Sequence, residues 1–137
     1  MKKALERLAA GGFTYTAAWR RNGQAPPVCD GVLPKDAGVY VFVQNDSIYY
    51  IGAAERSLHS RIKSYERRQR DQSAGRPVHT ALASAVTPEN PVEIWTRIVK
   101  PAHQKELDGL PINCLIGLEK GLIDLFDPDW NRRGRKR

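Results

Sequence analysis

Residues 38–52 hold the pattern that most restricts the fold. Val39 to Val43 is a β-branched and aromatic run, Asn45-Asp46-Ser47 is a turn signal, and Ile48 to Ile51 is a second run closed by Gly52. Two such runs joined by a short polar turn make an antiparallel β-hairpin. Further along, Val92, Ile94, Thr96 and Ile98 alternate with Glu93, Trp95 and Arg97, the period of a third strand.

Helical signals surround these strands. Residues 3–10 suit a short amphipathic helix stopped by Gly11-Gly12. Ser57 can cap a helix in which Leu58, Ile62 and Tyr65 share one face, running to about Arg70 before the polar break that begins at Asp71. Residues 79–86 suit another short helix, stopped before Pro88. Pro101 and Ala102 read as the start of a helix that includes Lys105, Glu106 and Leu107. Pro111 suits the first turn of a stronger helix over residues 112–126, ended by Pro128. The stretch from Phe13 to Pro34, with Tyr15, Trp19, Pro26 and Pro27, keeps no clear period and reads as an irregular arm.

The expected architecture is therefore α+β, a single domain with a small, mostly antiparallel sheet (hairpin plus third strand) flanked by helices. Its expected parts are an N-terminal arm over 1–34, a folded domain over 35–131 and a basic tail over 132–137. A chain of 137 residues suits one domain and can bury roughly two thirds of its unfolded surface without staples. Cys29 and Cys114 lie far apart with no metal-ligand spacing and read as unpaired thiols. There is no apolar run of membrane-spanning length, and the start, from Met1 to Arg7, lacks the apolar core of a secretory signal. A cytoplasmic location without membrane association is the expectation.

The formal net charge of +7 favours polyanion partners, nucleic acid first among them. The charge is uneven. Arg61, Lys63, Arg67, Arg68 and Arg70 share one segment, and Arg132, Arg133, Arg135, Lys136 and Arg137 form the tail. A solvated helix face with a basic end would give the same composition.

Glu119 is the residue whose position asks most for an explanation. Ile112, Leu115, Ile116, Leu122, Ile123 and Phe126 recur at helical spacing, and Glu119 falls inside that stripe. A carboxylate there needs a cation, a metal or a raised pKa. A Glu at the edge of the stripe, or one paired with a structural Arg, would satisfy the same pattern.

Other residues join it in order along the chain. Gly38-Val39-Tyr40 opens the first hairpin strand and Tyr50-Ile51-Gly52 closes the second. Leu58, Arg61 and Tyr65 follow on the next helix, with Arg61 and Tyr65 four apart and facing the same way. Asn131 follows Asp127-Pro128-Asp129-Trp130. This ordered set, spanning roughly Gly38 to Asn131, resembles the GIY-YIG nuclease superfamily, which includes the incision domain of bacterial excision-repair nucleases, some homing endonucleases and several restriction enzymes. Each tripeptide alone is a weak signal. Tyr40 and Tyr50 could be ordinary core aromatics, Arg61 a solvated helix residue and Asn131 the close of a turn.

The resemblance implies a metal-dependent endonuclease or nickase that leaves a 5′-phosphate and a 3′-hydroxyl, acting on nucleic acid, DNA first. By resemblance, Glu119 holds one Mg²⁺ or Mn²⁺. Arg61 contacts phosphate, Tyr40 and Tyr50 lie at the site with one of them orienting or activating water, Tyr65 contacts phosphate or water, and Asn131 orients groups within the site. The residue types suit phosphodiester hydrolysis, since Glu is a hard oxygen donor and Arg a fork that matches phosphate. Lys63, Arg67, Arg68, Arg70, Arg132, Arg133 and Arg135 are the expected nucleic-acid grip, with little base readout and strong salt dependence. Gly38 and Gly52 relieve the backbone at strand ends. His59, His79 and His103 show no zinc spacing.

One departure stands out. Many members carry a lysine directly after the second glycine, where this chain has Ala53, followed by Ala54 and Glu55. The segment from Gly52 to Arg61 is also one residue longer than in excision-repair members, and Arg56 or Lys63 is a candidate for the missing charge. A nucleic-acid-binding module on the same scaffold with little activity, or a protein-interaction domain with a basic tail, are the competing readings.

Overall fold

The computed structural model describes residues 3–71, 76–100 and 104–133. Strands β3 (Gly38–Gln44) and β4 (Ser47–Ala54) pair antiparallel, with Asn45 and Asp46 between them at φ 53° and 63°. A two-residue hairpin turn needs positive φ at both positions, which asparagine and aspartate tolerate better than most residues. Opposite Phe42/Val43, Tyr49 is an extra residue that makes a bulge in β4 just after the turn, and the register is regular from Tyr50 to Ala54.

The other edge of β3 takes β5 (Val92–Ile98), so β3 is interior and buried throughout, which is why its sequence is almost continuously apolar. The sheet then extends further than the sequence suggests. Residues 13–34 do not drape as an irregular arm: β1 (Thr14–Arg20) pairs with β5, and β2 (Val28–Asp30) pairs with β1. The five strands run antiparallel in the order β2-β1-β5-β3-β4. A bulge between Tyr15 and Ala17 breaks the period-two alternation of β1 and so hides the strand in the sequence. Trp19, at its end, is fully buried and meets Phe42 edge-on at 6.1 Å.

Helices cover both faces. Tyr40 and Phe42 point to the side of α2 (Leu58–Asp71), α3 (Pro77–Ala85) and α5 (Asp129–Arg133), where Leu58, Ile62, Tyr65, Leu82 and Trp130 complete one core. Val39, Val41 and Val43 point to the side of α1 (Lys3–Ala10) and α4 (Cys114–Phe126), against Leu8, Leu115 and Leu122. Ser57 Oγ accepts from the Ser60 amide at the start of α2, as its capping position predicts.

The expected helix through Lys105, Glu106 and Leu107 is instead a strand, β6 (Lys105–Leu107), paired with β7 (Leu110–Ile112) in a small hairpin. Its turn is Asp108-Gly109, at φ 53° and 80°, a strong hairpin signal that outweighs the helix-forming residues before it. Pro101, Ala102 and His103 lie outside the described residues. Pro111 accordingly sits in β7, and α4 starts only after Asn113, whose side chain accepts from the Ile116 amide. Asp127 ends α4 in the left-handed conformation. Cys29 and Cys114 are both unpaired, and no helix among the described residues is long and apolar enough to cross a membrane.

Gly52 lies opposite Tyr40 in the hairpin, and a Cβ on Gly52 would collide with the Tyr40 ring and hydroxyl. Gly38 faces a similar limit, since a Cβ there would meet the Arg97 carbonyl and Leu58. Gly52→Ala should therefore lower unfolding stability by about 1–3 kcal/mol through forced displacement of Tyr40. Urea denaturation measures it, and an unchanged midpoint would mean that the ring moves aside freely.

Candidate active site

Strand β4 is an edge of the sheet, and the site forms along that edge. On the α2 side, three tyrosines converge. The Tyr40 and Tyr65 hydroxyls are 2.8 Å apart in a hydrogen bond that either can donate. The Tyr40 and Tyr50 rings lie 6.2 Å apart, and the Tyr65 ring stands edge-on to Tyr40 at 5.9 Å. Tyr40 is 1 % exposed, Tyr65 4 % and Tyr50 8 %, so Tyr50 is the most accessible of the three.

Burial holds the Tyr40 hydroxyl well above the ordinary tyrosine range, helped by Tyr50 and opposed by the Tyr65 hydrogen bond and by Arg61. Burial likewise raises Tyr65, with Tyr40 and Tyr50 adding to it. Both are neutral phenols at pH 7. Arg61, four residues before Tyr65 on α2, faces the same cluster. Its own partial burial works against its charge, but the tyrosine oxygens around it outweigh that effect and hold its pKa above the ordinary value.

Glu119 approaches from the other face of the sheet. It sits on α4, half-buried, and burial raises its pKa above the ordinary carboxylate range. The backbone amide of Ala53 and the charge of Arg61 oppose that rise, Glu55 adds to it, and Arg76 lowers it again. The Ala53 amide is turned outward from the β4 edge, two residues beyond Ile51, so it meets a carboxylate carried by α4. The carboxylate is thus incompletely compensated by the protein. A Mg²⁺ or Mn²⁺ ion that keeps most of its ligands as water and phosphate needs only one or two carboxylates, and Glu119 with Glu55 nearby fits that need. Among the described residues no cluster of three or more His, Cys, Asp or Glu side chains could form a fuller cage.

Asn131 occupies a third place on the edge. Its Oδ1 accepts from the Ile51 amide and its Nδ2 donates to the Ile51 carbonyl, both at 2.9 Å. The side chain therefore mimics a neighbouring strand and fixes α5 against β4 between Tyr50 and Gly52. Trp130 beside it packs on Tyr49 at 5.3 Å.

Comparison with protein-family profiles finds no match, and comparison with curated protein sequences finds none either. Comparison with solved structures does. Bacteriophage T4 EndoII, in a glutamate-to-alanine mutant form, superposes with a TM-score of 0.71 at 19% identity, over 93% of this chain and 97% of its own. The chain has the GIY-YIG nuclease fold. The restriction endonuclease HPY188I in complex with product DNA follows at a TM-score of 0.55 and 14% identity, over 100% of this chain and 84% of its own. The GIY-YIG N-terminal endonuclease domain of UvrC from Thermotoga maritima, bound to magnesium, covers 73% of this chain and 88% of its own at a TM-score of 0.48 and 24% identity.

Within this GIY-YIG fold the structure brings Tyr40, Tyr50, Arg61 and Tyr65 together, places Glu119 within electrostatic range of Arg61, and bonds Asn131 to Ile51 of the same edge strand. The expected nucleic-acid grip is more scattered. Lys63 bonds Glu66 at 3.2 Å, and Glu66 also accepts from the Cys29 amide, so Lys63 is turned away from the cluster. Arg70 bonds Asp71 at 3.3 Å on that same flank, while Arg67 is exposed. Arg68 faces His79, and Arg132 pairs with Asp127 and Asp129 at 3.7 and 3.6 Å. Arg133 ends α5, and Arg135, Lys136 and Arg137 lie outside the described residues. Of the two cations considered for the missing charge, Arg56 lines a cleft with Arg61 and Lys63 does not.

Three participants escaped the sequence reading. The Ala53 amide is backbone and leaves no sequence signal. Arg76, just before α3, reaches Glu119 and His79 through its charge alone. His79 packs on the Tyr65 ring at 4.7 Å, and burial with Arg68, Arg76 and Arg61 lowers its pKa. Its spacing from Tyr65 spans a helix break, so no periodicity connects the two.

The raised Glu119 pKa means that the folded protein holds this proton more tightly than the unfolded chain. That contribution is full at low pH and is lost as pH rises from the ordinary carboxylate range through the raised value. Glu119→Gln should therefore raise the metal-free melting temperature at pH 7, with the gain fading on acidification. Thermal denaturation against pH reads this. A lower melting temperature for the variant at pH 7 would mean that Ala53 and Arg61 already compensate the carboxylate fully.

Proposed function

We propose that the chain is a metal-dependent endonuclease or nickase that hydrolyses nucleic-acid phosphodiester bonds, DNA first, to 5′-phosphate and 3′-hydroxyl ends. The observation that carries this reading is that the charge of Arg61 acts on Glu119 from the opposite face of the sheet, beside a hydrogen-bonded tyrosine cluster. A structural ion pair would not need three converging phenols, and a core aromatic cluster would not need a half-buried carboxylate at its rim. The shared fold with HPY188I, which was solved with product DNA, supports DNA as the substrate.

Each residue has a role that its surroundings suit. Arg61 presents a permanent positive fork to the non-bridging phosphate oxygens and stabilises charge that builds on them. Tyr50, the most accessible of the tyrosines, orients the attacking water. Tyr65 passes hydrogen-bond polarisation between Tyr50 and the fully buried Tyr40, which anchors the cluster over Gly52. Glu119 holds one divalent ion, which when bound neutralises phosphate charge and makes water a better nucleophile at neutral pH. Asn131 keeps β4 in register under these groups. Where many GIY-YIG members place a lysine, Ala53 contributes only its amide, so deprotonation of the nucleophile lacks one local cation and the pH optimum shifts upward.

Supercoiled plasmid and short branched DNA, incubated with Mg²⁺ or Mn²⁺, test the proposal. Wild type should nick, EDTA should stop it, and DNA ligase should reseal the nicks because their ends are a 5′-phosphate and a 3′-hydroxyl. Glu119→Ala and Arg61→Ala should each lose about a hundredfold or more in rate. Folded wild type that binds DNA but never cuts it, with either metal, would replace this reading with that of a binding module.

A further inference from the structure

A cleft of about 390 Å³ adjoins the cluster on its solvent side, between the end of β4 and α2. Its wall carries Arg56, Ser57, Ser60, Arg61 and Ser64. Positions 57, 60, 61 and 64 recur at three and four residues and so form one flank of α2. Arg68 continues that flank one turn further on. The flank is hydroxyl-rich and cationic, and it begins beside Ala53, whose amide faces Glu119. No hydrogen bond or ion pair engages Arg56 among the described residues. Ser57 Oγ accepts from the Ser60 amide, which leaves its own O–H free to donate. Glu55, the acidic residue in the wall, acts on Glu119 and thus belongs to the end of the cleft where a cation would sit.

We infer that this flank of α2 is the track for the substrate strand, with Arg56 and the hydroxyls of Ser57, Ser60 and Ser64 gripping phosphodiesters that flank the one held by Arg61. The inference rests on the nuclease reading and gives it a direction. From 57 to 64 the helix advances about 10 Å, and a nucleic-acid strand advances about 3.4 Å per phosphate along its axis. The flank is thus long enough for two or three successive phosphates. Serine side chains are short, so the sugar–phosphate backbone can come close to the helix while its oxygens accept hydrogen bonds. These neutral contacts fix the strand's path without reading bases. The opposite flank, with Lys63 and Arg70, is already engaged by Glu66 and Asp71 and contributes little.

The chemistry of the two kinds of contact separates them in one experiment. Binding of a fluorescent DNA duplex is measured by anisotropy in EDTA across a salt series, for wild type, Arg56→Ala, Ser60→Ala/Ser64→Ala and Arg70→Ala. Each cationic phosphate contact releases counterions and steepens the salt dependence, whereas a hydroxyl contact does not. Arg56→Ala should weaken binding several-fold and reduce the log–log salt slope by about one. The serine pair should weaken binding by roughly tenfold with an unchanged slope. Arg70→Ala should bind like wild type. If wild type binds and both cleft variants match it, the track is overturned while the nuclease reading stands. If Arg70→Ala is the variant that loses affinity and slope, the strand runs along the other flank, and the inference also fails. If wild type neither binds DNA here nor nicks plasmid with Mg²⁺ or Mn²⁺, the nuclease reading itself is lost. Melting temperatures of the variants, all at exposed or half-exposed positions, verify that they are folded.

Discussion

An edge strand leaves every second residue with its amide and carbonyl turned away from the sheet, and in β4 those residues are Ile51 and Ala53. Neither is left to solvent alone. Asn131 closes on both backbone groups of Ile51, and Glu119 meets the amide of Ala53. The Asn131 bonds tie α5 to the strand, while α4 is held on the other face by its apolar residues and presents Glu119 toward Ala53. These contacts also explain why the site lies here and not in the interior. Only at an edge can groups carried on the two faces of a sheet act on each other past a single strand, as the charge of Arg61 does on Glu119.

The tyrosines supply the second constraint. Tyr40 lies over Gly52 because the opposing residue has no side chain, and its hydroxyl then reaches Tyr65. Burial keeps both phenols neutral, and Arg61 beside them stays charged. The cluster therefore presents fixed hydrogen-bonding groups and one permanent cation, while the carboxylate across the edge is less stable charged than it would be in water. Under the proposed function, an incompletely compensated anion within range of a cation suits a ligand bearing both signs, such as a divalent ion with a phosphate.

Much of this was legible in the sequence where pattern and structure share a period. The β3–β4 hairpin, β5, the capped start of α2 and the apolar stripe of α4 all follow from turn residues, alternation and helical spacing. Glu119 stood out because it interrupts that stripe, and Arg61 and Tyr65 because they are one turn apart. What failed, failed for identifiable reasons. The bulge in β1 erased the alternation that would have extended the sheet to five strands, and the Asp108-Gly109 turn was passed over in favour of the helix formers before it. Lys63 and Arg70 point to carboxylates on one flank, while the uncharged serines on the other flank line the cleft, and composition gives serines no weight.

The most direct test of the composite edge site is where a divalent ion binds when a nucleic-acid strand is present. Crystals of the protein with a short duplex and Mn²⁺ would give an anomalous peak for the metal. The expected result is a single peak within coordination distance of a Glu119 carboxylate oxygen, with a phosphate of the duplex against Arg61. A metal bound elsewhere, or Glu119 turned to an ion pair with Arg61 while the strand lies on another face, would contradict it.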